Sequence, residues 1–362
     1  MIECFKDMDR HLISQKATLL DALRKLNGLP GREMTLFAVD DDRRVTGTLT
    51  DGDIRRALTA GMSLDDEVAW ACHTAFKALR GDAPHDEVEL MRRCRETGIT
   101  LLPELDSDGH VVGIINLNET YTRLPLSAVL MAGGKGERLR PMTLTVPKPL
   151  LEIDGKAIID YNIEALARCG ISDITVTTRY LADKIAEHFA KPVAGVSVRC
   201  VEESMPLGTV GALSLIDRDP DGDTLVMNSD LLTTLSFEDL YLKHKAENAD
   251  VTIAVVPYQI SVPYAILTTE GSEVTGLCEK PSYSYYANAG IYIFSNRLLD
   301  TLEKNIRIDA TDFIENAIAS GRRVTYFPIN GTWIDVGSPV DFKHAGELMR
   351  HHRAMSSPIK NK

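Results

Sequence analysis

Residues 130–151 read LMAGGKGERLRPMTLTVPKPLL. The stretch follows the apolar run Ala128–Met131 and holds Gly133, Gly134 and Gly136, then Pro141, Pro147 and Pro149. Its cations include Arg138 and Lys148, in a chain whose net charge is -12. An acidic protein that gathers cations on a glycine loop is handling an anion locally. Glycines let backbone N–H groups converge on an anion with no Cβ in the way. Arg138 follows two residues after the last glycine, and the three prolines restrict the detour that delivers Lys148. Fixed cations beside open backbone donors suit a polyphosphate, whose several charges must be neutralised together. The plainer alternative is a glycine turn with solvated cations, which gives no reason for three prolines around one lysine. Two familiar phosphate loops are excluded: no G-x-x-x-x-G-K-[ST] is present. The pattern G-x-G-x-x-G begins at Gly134 and Gly136 but meets Leu139 at its third glycine.

The chain has 362 residues, 44% hydrophobic and 25% charged, which is room for two globular domains. No apolar run approaches the roughly 20 residues of a membrane span. The opening MIECFKDMDRHLISQ carries acids and no apolar core, unlike a signal peptide. The six cysteines (Cys4, Cys72, Cys94, Cys169, Cys200, Cys278) are scattered, with no C-x-x-C pair, so reduced thiols in a cytoplasm are expected. The acidic balance argues against a nucleic-acid partner.

From Leu126 strands and amphipathic helices alternate. Strands are expected at 127–131, 173–178, near 196–201 and at 224–227. Helices are expected at 157–169 and 181–190 and, as a short one, after Thr209. Leu181, Ile185 and Phe189, four apart, share a helix face. Such alternation predicts an α/β fold, a Rossmann-like mixed, mostly parallel sheet with helices on both faces. Beyond Asp250 come further strands, a hairpin around EGSE, then GTWIDVGSPVDF leading into a last helix.

The first 124 residues contain an internal repeat. Met34–Leu58 reads MTLFAVDDDRRVTGTLTDGDIRRAL and Ile99–Leu124 reads ITLLPELDSDGHVVGIINLNETYTRL. Each has an apolar strand, an acidic turn, a second strand containing a glycine (Gly47, Gly113) and a polar helix start, after a stretch with helical spacing. This resembles a tandem CBS pair, an α+β module that often binds adenine nucleotides. The resemblance implies a regulatory nucleotide held by Thr50 and Asp53 in GTLTDGDI. The second copy has Asn116 and Glu119 at those positions, so one such site is expected rather than two. A purely structural module is the alternative. The expected division is 1–124, 125–353 and a tail at 354–362.

With the loop as its first landmark, the region from Leu126 to Arg350 resembles the sugar-1-phosphate nucleotidyltransferases. The later landmarks are PLGTVGAL (206–213), VMNSD (226–230), EKP (279–281), NAGIYIF (288–294) and WIDVG (333–337). The resemblance implies Mg²⁺-dependent in-line attack of a sugar 1-phosphate on the α-phosphate of a nucleoside triphosphate, releasing pyrophosphate. It places Ala132, Gly133, Gly134, Gly136, Leu207, Gly208 and Thr209 on the nucleotide, with Arg138, Lys148 and Lys280 catalytic. Gly211, Glu279, Lys280, Asn288, Gly290 and Trp333 fall to the sugar phosphate, and Asp230 and Asp335 to the metal. Plainer roles stand beside these. Asp230 could cap a turn, Asp335 could bond the DVGSP turn, Trp333 could pack, and Glu279 and Lys280 could be a surface pair. The sequence offers no activated nucleophile of the G-x-S-x-G or H-E-x-x-H kind.

GTVGAL is closer to the guanylyl- and uridylyl-transferring branches than to the thymidylyl branch. A CBS pair ahead of the catalytic region is similar to the hexosamine-1-phosphate guanylyltransferases of nonulosonic acid biosynthesis. GTP and glucosamine 1-phosphate are therefore the expected substrates, with UTP or another hexose 1-phosphate as runner-up. A silent CBS-linked nucleotide sensor is the other alternative, though such a protein has no need of the full charged set. A homodimer or tetramer is expected, since CBS pairs associate.

Overall fold

A computed structural model describes residues 8–29, 34–80 and 84–356. Cys4 and the tail residues from 357 onward lie outside the described residues. The chain separates into two compact units. One runs to Pro125 and takes in Arg168–Gly170; the other comprises Leu126–Ala167 and continues from Ile171.

The first unit opens with β1 (Leu12–Ser14), α1 (Leu19–Asn27), β2 (Thr35–Val39), β3 (Val45–Thr50) and α2 (Asp51–Thr59). It continues with α3 (Pro84–Glu96), β4 (Leu101–Leu105) and β5 (Val111–Asn116). The repeat is visible in the pairing. Gly47 faces Ala38 and Gly113 faces Glu104, each next to a bulge in its hairpin. Both acidic turns are closed alike. Asp40 Oδ1 accepts from the amides of Asp42 and Arg44, at 3.0 and 2.9 Å, and Asp106 Oδ1 from those of Asp108 and His110, at 3.0 and 2.8 Å. Phe37, Leu101 and Ile114 join the two hairpins in one buried cluster.

The copies part after their second strands. Thr50 and Asp53 form a reciprocal capping box that starts α2. At the corresponding place in the second copy no helix forms. There Asn116 Oδ1 closes a short turn on the Asn118 amide at 3.0 Å. Asparagine and glutamate do not reproduce the Thr–Asp box, so the expected helix start is absent.

The second unit begins with β6 (Leu126–Ala132), a minor hairpin β7 (Glu152–Ile153) and β8 (Lys156–Ala157), then α4 (Ile158–Arg168). There follow β9 (Ile174–Thr178), α5 (Ala182–His188), β10 (Val198–Glu202), α6 (Gly208–Gly211), β11 (Asp223–Asn228) and β12 (Leu231–Thr233). The C-terminal half holds α7 (Phe237–Ala246), β13 (Val251–Ser261), β14 (Ile266–Glu270), β15 (Glu273–Cys278) and β16 (Ser282–Ser295). Last come α8 (Asn296–Leu299), α9 (Ala310–Ala319), β17 (Val324–Pro328), β18 (Trp333–Asp335) and α10 (Pro339–Ser356).

Seven strands form the main sheet in the order β10-β9-β6-β11-β16-β13-β17. Only β16 runs against the others. The interior strand β6 is almost wholly apolar, as a strand covered on both faces requires. Val129, Val226, Val251 and Phe294 meet Phe313 and Ala317 of α9 in one core cluster. The chain goes from β6 outward to β9 and β10, then returns to β11 on the other side of β6. That reversal opens a crevice at the carboxyl ends of β6 and β11, where α/β sheets bind ligands. The distal halves of β13 and β16 form a two-stranded arm with Tyr258, Tyr285 and Tyr286 exposed.

Candidate active site

A cavity of about 590 Å³ lies at these strand ends. Its walls include the glycine loop, Arg138 and Lys148 after β6, Asp230 after β11, and Gly208 and Thr209 of α6. Of the glycines, Gly134 has open space where a Cβ would stand. Gly136 has φ 59°, and a Cβ there would come within 3.0 Å of Thr143 and 3.1 Å of Lys148. Glycine at 136 therefore lets the chain turn tightly enough to bring Lys148 back under the loop.

Lys148 is the hub. Its side chain is only 12% exposed, its Nζ donates to Asp230 Oδ2, and Asp335 Oδ1 lies 3.6 Å away. The two carboxylates converge because β12 and β18 pair, with Leu231 opposite Asp335. The Val336 amide also donates to the Asp230 carbonyl at 3.1 Å. Burial, then the charge of Asp230, pushes the Asp335 carboxyl above its usual range, against the pull of Lys148 and Arg138. The Arg138 guanidinium lies against Gly337, where a Cβ would meet its Nη2 at 2.9 Å. Two facing carboxylates, with hard oxygen donors, fit a magnesium ion that takes its remaining ligands from phosphate and water. The sole cluster of three metal-ligating side chains among the described residues is elsewhere, at Asp106, Asp108 and His110.

Other expected residues are placed differently. Leu207 and Gly211 are buried and are not on the cavity wall. A Cβ on Gly208 would meet the Ile308 carbonyl at 2.5 Å, and one on Gly211 the Ile306 carbonyl at 2.6 Å. Both glycines thus serve close packing of α6 on the 306–309 segment. The Thr209 amide donates to Asp309 Oδ1 at 3.2 Å, and Thr209 Oγ1 accepts from the Ala310 amide at 2.6 Å. Asn288 uses its side chain on the Gly290 amide and the Tyr292 hydroxyl, both at 2.9 Å. Gly290, with φ 70°, leaves room for the cavity residue Asn228. Trp333 Nε1 donates to the Ala289 carbonyl at 2.9 Å, a packing contact. Glu279 and Lys280 stand exposed in the turn between β15 and β16, outside the cavity wall.

Glu203 was not among the expected residues. It follows β10, is 7% exposed and lines the cavity. Its Oε2 accepts from the Leu207 amide at 3.1 Å, and its Oε1 is the atom a Cβ on Gly133 would meet at 2.9 Å. Burial pushes its carboxyl up, opposed by the Leu207 amide and the charge of Arg179. An acid at a strand end beside a second acid reads as solvated surface. Only its closeness in sequence to PLGT could have singled it out.

Among the described residues no helix is long and apolar enough to cross a membrane. The CBS-domain family model matches residues 7–60. A Dictyostelium discoideum mannose-1-phosphate guanylyltransferase catalytic subunit beta is 34% identical over 227 residues, 60% of this chain and 62% of that protein. A Gibberella zeae mannose-1-phosphate guanyltransferase is 33% identical over 228 residues, again 60% and 62%. The chain thus spans about three fifths of the length of these relatives. A Bacillus anthracis crystal structure, provisionally named a glucose-1-phosphate thymidylyltransferase, shares the fold at a TM-score of 0.50 and 23% identity, over 62% of this chain and 95% of that one. The family model described as nucleotidyl transferase matches residues 127–351, the region that builds the whole cavity, and the chain belongs to that family.

Proposed function

We propose that the chain is a guanylyltransferase that joins GTP to a hexose 1-phosphate, giving a nucleotide sugar and pyrophosphate. The observation that carries this is the convergence of Asp230 and Asp335 on Lys148, with Arg138, Lys148 and Asp230 on the wall of a glycine-lined cavity. Both reactants are anions, so the protein's work is positioning and charge neutralisation. The amides around Gly134 and the Arg138 guanidinium hold the triphosphate. Lys148 leaves its carboxylates to meet the α-phosphate, where charge shifts as the sugar phosphate oxygen attacks and pyrophosphate departs. Asp230 and Asp335 would hold Mg²⁺, which neutralises charge on the transferring group. Lys280 and Glu279 take the phosphate and hydroxyls of the sugar from the exposed arm turn.

Guanine is favoured by Glu203. A carboxylate on the cavity wall matches the adjacent N1–H and N2–H₂ donors of guanine, whereas uracil offers one donor between two carbonyls. Mannose 1-phosphate is the sugar in the names of the relatives. Glucosamine 1-phosphate is kept as a second reading on the resemblance to CBS-fused hexosamine-1-phosphate guanylyltransferases alone. A matrix of GTP, UTP, ATP and dTTP against both sugar phosphates, scored by pyrophosphate release, tests the assignment. GTP is expected to lead with one of the two sugars; release with UTP or dTTP in preference would overturn the base.

We assign the protein to the cytoplasm and to a homodimer or tetramer. All the described cysteines are free thiols. The N-terminal unit is proposed to hold an adenine or guanine nucleotide at Thr50 and Asp53, which cap α2. Calorimetry with ADP on the full chain is expected to show binding that Asp53→Asn weakens at least ~10-fold, the loss of one charge-assisted hydrogen bond. Absence of heat with adenine and non-substrate guanine nucleotides would leave Thr50 and Asp53 a capping box alone.

A further inference from the structure

Arg179 follows β9 as Glu203 follows β10. These parallel strands are in register, with Thr178 opposite Glu202, and the Glu203 amide donates to the Thr178 carbonyl at 2.8 Å. The two side chains therefore leave adjacent strand ends side by side. The Glu203 carboxylate and the base of the Arg179 side chain lie beside the same point of the glycine loop. A Cβ on Gly133 would lie 2.9 Å from Glu203 Oε1 and 3.7 Å from Arg179 Cβ. Both line the cavity. Among the described residues Arg179 makes no ion pair and its guanidinium makes no hydrogen bond, unlike Arg199 on the neighbouring strand, which bonds Thr175. A half-buried cation without such a partner, on the wall of a binding cavity, is free for a ligand. Its charge also acts on Glu203, helping to keep that carboxylate ionised against burial.

We propose that Arg179 is a specificity residue that binds the O6 and N7 acceptors of guanine while Glu203 accepts from N1–H and N2–H₂. The proposal rests on the reading of the cavity as a nucleoside triphosphate site and names how that site selects its base. Guanine alone carries two adjacent donors followed by two acceptors along its exposed edges. A planar guanidinium fork suits the acceptors, and a carboxylate suits the donors. Adenine presents N1 as an acceptor to the carboxylate and an amino donor to the cation, so both contacts become repulsive. Uracil offers Arg179 no second acceptor in line with its O4.

The test compares GTP with 7-deaza-GTP, which lacks the N7 acceptor, as substrates of the wild type and of Arg179→Leu, at saturating sugar phosphate. The wild type is expected to show a KM for 7-deaza-GTP roughly 10-fold above that for GTP, within the range of one base-edge contact. Arg179→Leu is expected to raise KM for GTP by roughly 10- to 100-fold with kcat changed little, and to use both nucleotides equally. Since the guanidinium has no hydrogen-bond partner within the described protein, the variant is expected to melt near the wild type. A wild type that does not distinguish the two nucleotides, or a variant that still prefers GTP, overturns the role of Arg179. Preference of the wild type for UTP overturns the base reader while leaving the triphosphate site standing. Pyrophosphate from no nucleotide at all overturns both.

Discussion

Replacing Asp230 by alanine is expected to lower turnover at least ~100-fold, the scale of removing one key electrostatic group from a reaction centre. Asp230 lies in the turn between β11 and β12. Its carboxylate receives Lys148, and its charge helps hold the Asp335 carboxyl above its usual range. The backbone around it is fixed independently of the side chain. The Ser229 hydroxyl donates to the Met131 carbonyl at 2.7 Å, and the Val336 amide bonds the Asp230 carbonyl. Asp230→Asn preserves this shape and removes only the charge, so it should lose as much activity as alanine. A purely structural aspartate would show the opposite: a stability change of about 1 kcal/mol with turnover near normal. Comparing kcat and melting temperature for both variants separates the two roles.

Lys148→Met is the second large effect, expected at roughly 10²- to 10³-fold in turnover. Methionine keeps the length and apolar stem of the lysine but brings no charge to the α-phosphate. It also removes the cation that bridges Asp230 and Asp335, leaving the Arg138 charge acting on Asp335. The free variant should therefore be less stable, and Mg²⁺ should restore it. Adding magnesium without nucleotide is expected to raise the melting temperature of Lys148→Met by about 2–4 °C, the shift for about 1 kcal/mol in a unit this size. The wild type, whose lysine already bridges the pair, should respond less. Equal magnesium responses in the two proteins would contradict the placement of the metal on Asp230 and Asp335.

Much of the second unit was legible because its signals are local. The helices α4 and α5 and the strands β6, β9, β10 and β11 fall within two residues of positions read from periodicity alone. A parallel sheet needs only alternation to be recognised. The N-terminal repeat was legible for the same reason, down to the glycines at matching bulges. Its second helix was not, because a polar stretch after a strand resembles a helix start until the capping pair is examined. The site was legible where residues cluster in sequence, as Gly133, Gly134, Gly136, Arg138 and Lys148 do. Long-range placement was less so. EKP is conspicuous as a motif, yet the direction of the β13–β16 arm, which decides where Glu279 and Lys280 stand, follows from the pairing of distant strands. Glu203 and Arg179 carry no local signal, for the converse reason. Each is an isolated charge at a strand end, and only the register of β9 and β10 makes them neighbours.

Transfer of a nucleotidyl group is the activity proposed for this cavity. It is tested most directly by incubating the full chain with Mg²⁺, a hexose 1-phosphate and GTP labelled at the α-phosphate. Label is expected in a nucleotide sugar, with one pyrophosphate released for each and both products lost in Lys148→Met. Label remaining in GTP with every sugar phosphate, or product forming equally well in the variant, would contradict it.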